Sequence, residues 1–492
     1  MTSETSKKSF YITTTIPYVN ADPHIGFALE LVQSDAMARW KRLRGEEVFF
    51  STGTDEYGQK IWEASEKQGM PVQEYVDHYA QKFLDLKKLL NLSTDNFIRT
   101  TSGQNIQAAQ ELWRLCDAKG DIYKSKYTGL YCVGCETFYT EKDLIDGKCP
   151  IHLVPVEKIE EENYFFKLTN YREQILKYFE NKGSILPEWR RLEAIKFVER
   201  DMEDFSISRS SKRVSWGIPV VGDDTQVMYV WFGALVNYIS TLGWPFASAQ
   251  DFRPETDQIN NFEKFWTNGF TVQTAGKDMV KFQSVMWQGM LLSAGLAPTD
   301  QVVYHGFITG EGGIKMSKSL GNVINPSEIV QEYGTDALRY FLLREISPFE
   351  DSPFTMERFK DAYNSGLANG LGNLASRILT LSEKYLEQCP PIPEHSIPEE
   401  FKDLLGKFEI QKAVNFIWNE IGELDRFIQE TEPFKVIKVD ETKGKKLISE
   451  MVLRLYTIAR MLNPIMPETN VTLKKLIKEN KKPDKPLFLR KE

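Results

Sequence analysis

A chain of 492 residues is too long for one ordinary core, so two or three domains are expected. Its composition, 41% hydrophobic and 26% charged, is that of a globular protein; with no bilayer-length apolar run and no signal-peptide core, a cytoplasmic enzyme without membrane contact is expected. A net charge of −8 argues against coating nucleic acid by bulk electrostatics, though it leaves room for a local basic face, and five cysteines are too few for a disulfide framework.

Phe10-Tyr-Ile-Thr-Thr-Thr-Ile16 is β-branched and aromatic and predicts a buried strand. A loop holding Pro17, Asn20, Asp22 and Pro23 follows. Ile25 to Arg44 then places Leu29, Val32, Ala36, Trp40 and Leu43 at helical spacing and stops at Gly45. Glu47 to Thr52 is a second strand, and strand, loop, helix, strand predicts the parallel unit of a doubly wound sheet. From Cys116 to Gly222 the pattern breaks into short, turn-rich, cysteine-bearing segments, as an inserted domain would. Parallel-sheet character is expected to return at Val227 to Phe232 and at Val302 to Ile308. Beyond Asn325 the chain reads as helical, with long amphipathic stretches from Glu409 to Glu430 and Lys445 to Leu462. The fold class is therefore α/β, a Rossmann-like parallel sheet split by an insertion and followed by an all-α bundle. Its boundaries are placed at 1–115, 116–225, 226–325, a linker over 326–365, and 366–492.

Two segments suggest phosphate chemistry. Pro17-Tyr-Val-Asn-Ala-Asp-Pro-His-Ile-Gly-Phe27 sets His24 at a helix start, where unpaired N–H groups and the dipole favour anions, and Gly26 leaves room for a flat ring. Gly313-Ile-Lys-Met-Ser-Lys-Ser-Leu-Gly321 carries two ammonium groups, Lys315 and Lys318, between glycines that can let the loop close over a triphosphate. A solvated turn is the plainer reading of that loop, and the His-x-Gly helix start in the first half of a split sheet reverses it. A third segment, Cys132-x2-Cys135-x13-Cys149-x2-His152, offers three thiolates and an imidazole in two close pairs, the donor set of a closed, structural zinc knuckle. Cys116 and Cys389 read as ordinary thiols. Asp55 follows the second strand, where open α/β sheets collect ligands, and its carboxylate can hold an amino group. Asn373 and Arg377, four apart, share one face of a helix.

His24-Ile-Gly-Phe27 and Lys315-Met-Ser-Lys-Ser319 resemble the HIGH and KMSKS boxes of class I aminoacyl-tRNA synthetases. Within that class the chain resembles the methionyl-tRNA synthetase family, single-zinc-knuckle type. Tyr11-Ile-Thr-Thr, Gly53-Thr-Asp-Glu, Tyr229-Val-Trp-Phe, Gly276-Lys-Asp, His305-Gly-Phe, Asp336 to Arg344 and Asn463 to Thr469 occur in that family's order. The resemblance runs from Tyr11 to Arg490.

It implies adenylation of methionine by ATP with Mg²⁺, then transfer to tRNA(Met), initiator tRNA included. His24, Lys315 and Lys318 are the implied catalytic residues, and Gly26, Gly276 and Ser317 join them around ATP. Methionine is expected among Tyr18, Asp55, Trp231, Tyr238, Gln283 and Trp287, whose aromatic walls suit a polarizable sulfur. Asn373 and Arg377 are expected to read the anticodon, with Phe434 after Pro433 offering a stacking face where the family has tryptophan. One Zn²⁺ is expected at the knuckle. Four pocket positions depart from the family pattern. Phe27 stands for a histidine, Tyr57 for a histidine, Gly233 for an aspartate and Gln283 for a histidine. These leave open a paralogue with reduced activity or an altered amino-acid choice. The chain stops soon after the bundle without an appended oligonucleotide-binding domain, so a monomer is expected.

Overall fold

The computed structural model describes residues 9–132, 137–139, 141–150, 153–245, 261–314, 316, 324–393 and 397–492. The chain divides into two compact units, each assembled from separated stretches.

The first unit comprises residues 1–23, 46–85 and 94–304. Its centre is a six-stranded sheet in the order Asn96–Arg99, Glu47–Thr54, Ser9–Thr13, Phe270–Gly276, Gln301–His305, Ile185–Leu186. Ser9–Thr13 pairs in parallel with Glu47–Thr54 on one side and with Phe270–Gly276 on the other. It lies inside the sheet, so Phe10, Tyr11 and Ile12 are all buried, which is why the sequence shows an unbroken apolar run here instead of alternation. Strand order reverses direction beside Ser9–Thr13, and the crevice at the carboxyl ends of such a pair of strands is where open α/β sheets bind ligands.

Two expectations are corrected in this unit. The run Val227 to Phe232 is not one parallel strand. Asp223–Met228 is antiparallel, paired with Pro219–Val220 and with Ser208–Ser210, and a helix, Val230–Leu235, starts just after it. The stretch from Cys116 to Gly222 is also more regular than read. Ile122–Cys132 and Glu157–Phe166 form a long antiparallel ladder, flanked by Thr137–Tyr139 and Phe205–Ser206 in a four-stranded sheet. The same stretch contributes Ile185–Leu186 to the edge of the central sheet.

The second unit comprises residues 24–45, 86–93 and 305–492. It is helical, with Ile308–Thr309 and Ser352–Pro353 forming a small parallel pair. Ile25–Leu43 belongs to it, as do Thr335–Arg344, Asn373–Tyr385, Ile410–Thr431, Pro433–Val439, Glu441–Met461 and Pro467–Lys478. The amphipathic reading of Ile410–Thr431 is met by Ile410, Ala413, Val414, Ile417, Ile421, Leu424 and Ile428, which face the core at helical spacing. At the centre of the unit Arg339, fully buried, pairs with Asp35 at 2.7 Å and donates to the carbonyls of Leu90, Pro464 and Ile465. Among the described residues no helix is long and apolar enough to cross a membrane.

Candidate active site and anticodon-reading face

In the first unit, the carboxyl ends of Ser9–Thr13, Glu47–Thr54 and Phe270–Gly276 bring together the loop with Tyr18, the segment Asp55-Glu56-Tyr57, and Gly276. Tyr18 and Asp55 form an isolated parallel bridge, with the Asp55 N–H donating to Pro17 O at 2.9 Å and Val19 N–H to Asp55 O at 3.2 Å. Asp55 is 4% exposed, and the Thr100 hydroxyl lies 3.4 Å from its Oδ1. The neighbouring Glu56 is fully buried and takes both arms of Arg99 at 2.7 and 2.9 Å, together with the hydroxyls of Thr54 and Thr101. Its own carbonyl accepts from Trp216 Nε1 at 2.6 Å. A fork-to-fork arginine pair of this kind fixes orientation, so Asp55 sits on a segment held from both sides. Tyr57 packs on Trp216 at 5.2 Å between ring centroids. Burial, helped by the carboxylates of Glu56 and Asp55, pushes its phenol up to about 12, so it stays neutral.

An aromatic wall continues from Tyr18. Its ring meets Trp231 edge-on at 6.5 Å, Trp231 stacks on Phe282 at 4.0 Å, and Tyr238 meets Trp287 at 5.8 Å. Gln283 is 1% exposed and donates through Nε2 to the Tyr238 hydroxyl at 2.5 Å. Phe282 and Gln283 lie on a π-helical turn, Val280–Met286, whose wider register turns consecutive side chains inward and is common at functional sites. Among the described residues, Trp231 Nε1 and Trp287 Nε1 have no hydrogen-bond partner. Two unspent donors beside apolar ring faces suit a ligand with a weak acceptor in an apolar chain, as a thioether is. Gly233 has a local reason. A Cβ there would lie 3.0 Å from the tip of the Ile218 side chain, Cδ1, so Ile218 would have to shift by a few tenths of an ångström to admit one.

In the second unit, His24 caps the helix Ile25–Leu43, and its Nδ1 accepts the Gly26 N–H at 3.1 Å. The Ile25 N–H donates to Ile324 O at 3.1 Å, and those of Phe27 and Ala28 to His24 O. The expected row of amides open to phosphate is therefore spent locally. Gly26 answers to the same ring, since a Cβ would come within 2.9 Å of His24 Cε1. One turn along, Glu30 meets His305 Nε2 at 2.8 Å, and His305 Nδ1 lies 2.8 Å from Gly306 O. Lys315, Ser317 and Lys318 lie outside the described residues.

Asn373 is exposed in the first turn of Asn373–Tyr385, and Arg377 one turn on pairs with Asp425 of Ile410–Thr431 at 2.5 Å. Asp425 also accepts from Gln429 Nε2 at 2.7 Å. Phe434, 40% exposed, follows where that helix ends and Glu432 turns left-handed. Sequence reasoning did not find Asp425, Arg99, Phe282 or Trp216, because no spacing rule links them to the residues they hold. Of the four residues expected to form a zinc knuckle, Cys132 and Cys149 are buried, and the Cys149 carbonyl and amide close a tight turn with Leu153 and Val154. Cys135 and His152 lie outside the described residues.

The family model described as tRNA synthetases class I (M) matches residues 10–155 and 151–379. The chain belongs to the methionyl-tRNA synthetase family of class I tRNA synthetases. A methionine–tRNA ligase of Caldanaerobacter subterraneus is 40% identical over 94% of this chain and 73% of its own length. That of Rhizobium meliloti is 39% identical over 94% of this chain and 90% of its own. The Mycobacterium tuberculosis methionyl-tRNA synthetase solved with methionyl-adenylate is 33% identical, with a TM-score of 0.87 over 95% of this chain and 93% of that one.

Proposed function

We propose that the chain joins L-methionine to tRNA(Met), initiator tRNA included, in two steps driven by ATP. The observation that most supports this reading is the likeness along nearly the whole chain to a synthetase holding methionyl-adenylate, combined with a buried Asp55 beside an aromatic wall. In the first step the methionine carboxylate attacks the α-phosphate of ATP. The bond from that phosphorus to the bridging oxygen breaks, and pyrophosphate leaves with the electron pair. In the second step the 3′-terminal ribose hydroxyl of tRNA attacks the carbonyl of the mixed anhydride and AMP leaves. Asp55 holds the methionine ammonium. Tyr18, Trp231, Tyr238, Gln283 and Trp287 enclose the side chain. His24 Nε2, Lys315 and Lys318 meet the phosphates, with Gly26, Gly276 and Ser317 lining the nucleotide. No side-chain nucleophile takes part; positioning and charge stabilisation lower the barrier. Mg²⁺ enters with ATP as part of the substrate and offsets phosphate charge.

Methionine-dependent exchange of pyrophosphate into ATP tests the first step, and charging of tRNA(Met) the second. Exchange at background, or faster with another amino acid in a panel, would sink this reading. Asn373, Arg377 and Phe434 form the anticodon face, and residues 326–365 the stem contact. A monomer in the cytoplasm completes the proposal.

Cys132, Cys135, Cys149 and His152 would hold one structural Zn²⁺, which supplies fold stability and no chemistry to the reaction. The burial of two of the thiols beside a tight turn fits that donor set. Elemental analysis of the purified chain should find about one zinc per molecule, and Cys132→Ser should bind it at least tenfold more weakly. Equal zinc content in the variant would remove Cys132 from the ligand set.

A further inference from the structure

Phe27 occupies the family's second HIGH histidine position, yet it has no polar atom for a phosphate. Its ring stacks on the imidazole of His24, 4.3 Å between centroids and 30° between planes. Neither residue is core: both are half-buried, unlike Ile25, Ala28 and Leu29 beside them, which are fully buried. A flat apolar face laid against the imidazole limits how that ring can turn. Meanwhile the His24 Nδ1 accepts the Gly26 N–H at 3.1 Å, so in the neutral imidazole the proton sits on Nε2. The stack on one face and the amide on one edge together leave the ring a single orientation.

We infer that Phe27 is a positioning residue, whose ring holds His24 with Nδ1 on the Gly26 amide and Nε2–H as the donor for the ATP phosphates. This rests on the role proposed above for His24. The lost second histidine is thereby replaced by preorganisation: one donor fixed in place instead of two. A donor already aimed costs nothing to reorganise as charge develops in the transition state. Leucine at this position keeps apolar bulk and helix propensity but not the flat face. Tyrosine keeps the face.

The test is a double-mutant cycle read by methionine-dependent pyrophosphate exchange on the full chain. Phe27→Leu should lower kcat roughly five- to tenfold, with the KM for methionine unchanged, and Phe27→Tyr should recover most of that loss. In a His24→Asn background the same Phe27→Leu change should cost less than about twofold, because there is no imidazole left to aim. Melting temperatures of the Phe27 variants within about 2 °C of the parent separate aim from folding. A kcat within twofold of the parent for Phe27→Leu, or equal losses in both backgrounds, would overturn the inference. Unchanged exchange in His24→Asn alone would instead overturn the role of His24, so the two failures are told apart.

Discussion

Replacing Lys318 by alanine should lower the rate of adenylate formation by about 10²–10³-fold while methionine affinity stays within about twofold. The ammonium groups of the Gly313 to Gly321 loop are proposed to meet charge that appears only as pyrophosphate departs. Removing one takes away stabilisation the ground state does not share, so kcat falls and binding does not. Phe27 makes this sharper. With the second histidine of the helix start absent, His24, Lys315 and Lys318 are the proposed donors to that charge. Single-turnover adenylate formation, set beside equilibrium methionine binding, separates the two quantities. Parallel losses in both would show that Lys318 serves the ground state, which contradicts its proposed part.

The second large effect is on stability. Asp35→Ala should destabilise the helical unit by about 3–5 kcal/mol, because it strands the buried guanidinium of Arg339. For a unit of this size that is a fall in melting temperature on the order of 10 °C. The Asp35 carboxylate spends both oxygens: Oδ2 on Arg39 and Arg339 at 2.7 Å each, and Oδ1 on the amide and hydroxyl of Ser93 at 2.6 Å each. Burial is the largest single influence on it and would raise its pKa. The guanidiniums of Arg339 and Arg39 and the two Ser93 donors outweigh that and hold it below the ordinary carboxylate value. Since the folded pKa is depressed, the stability this group contributes is fully present above the unfolded value of about 3.9. It is lost as pH falls below that value toward the folded one. Thermal unfolding of parent and variant at pH 7 and near pH 3 reads both effects. A variant melting within about 2 °C of the parent at neutral pH would refute the assignment.

Much of this was legible in the residues. The first strand and the helix ending at Gly45 follow from β-branched clustering and 3.6-residue spacing, and the observed elements, Ser9–Thr13 and Ile25–Leu43, lie where those patterns put them. Val227 to Phe232 misled because a short apolar run looks the same in a buried strand and in a buried helix turn. The chain changes from one to the other at Tyr229. The ladder from Ile122 to Phe166 is not legible because half of its second strand is charged and its first six residues carry a single apolar side chain, Ile159. The candidate site residues could be named from motifs, but not what holds them. Glu56 and Arg99, and Arg377 and Asp425, meet through tertiary geometry that no spacing encodes; Phe27 and His24, three apart at a helix start, are neighbours by spacing alone.

The helical unit is not a contiguous piece of chain. Its centre draws the Asp35 carboxylate from residues 24–45 and the Leu90 carbonyl from residues 86–93, while Arg339 comes from residues 305–492. A fragment starting at His305 would carry every residue proposed to read the anticodon and still lack the counter-charge at its heart. The helical unit therefore cannot be excised as a free-standing module, nor can it be exchanged between relatives by a single crossover. Any chimera must bring the helix that bears His24 along with it.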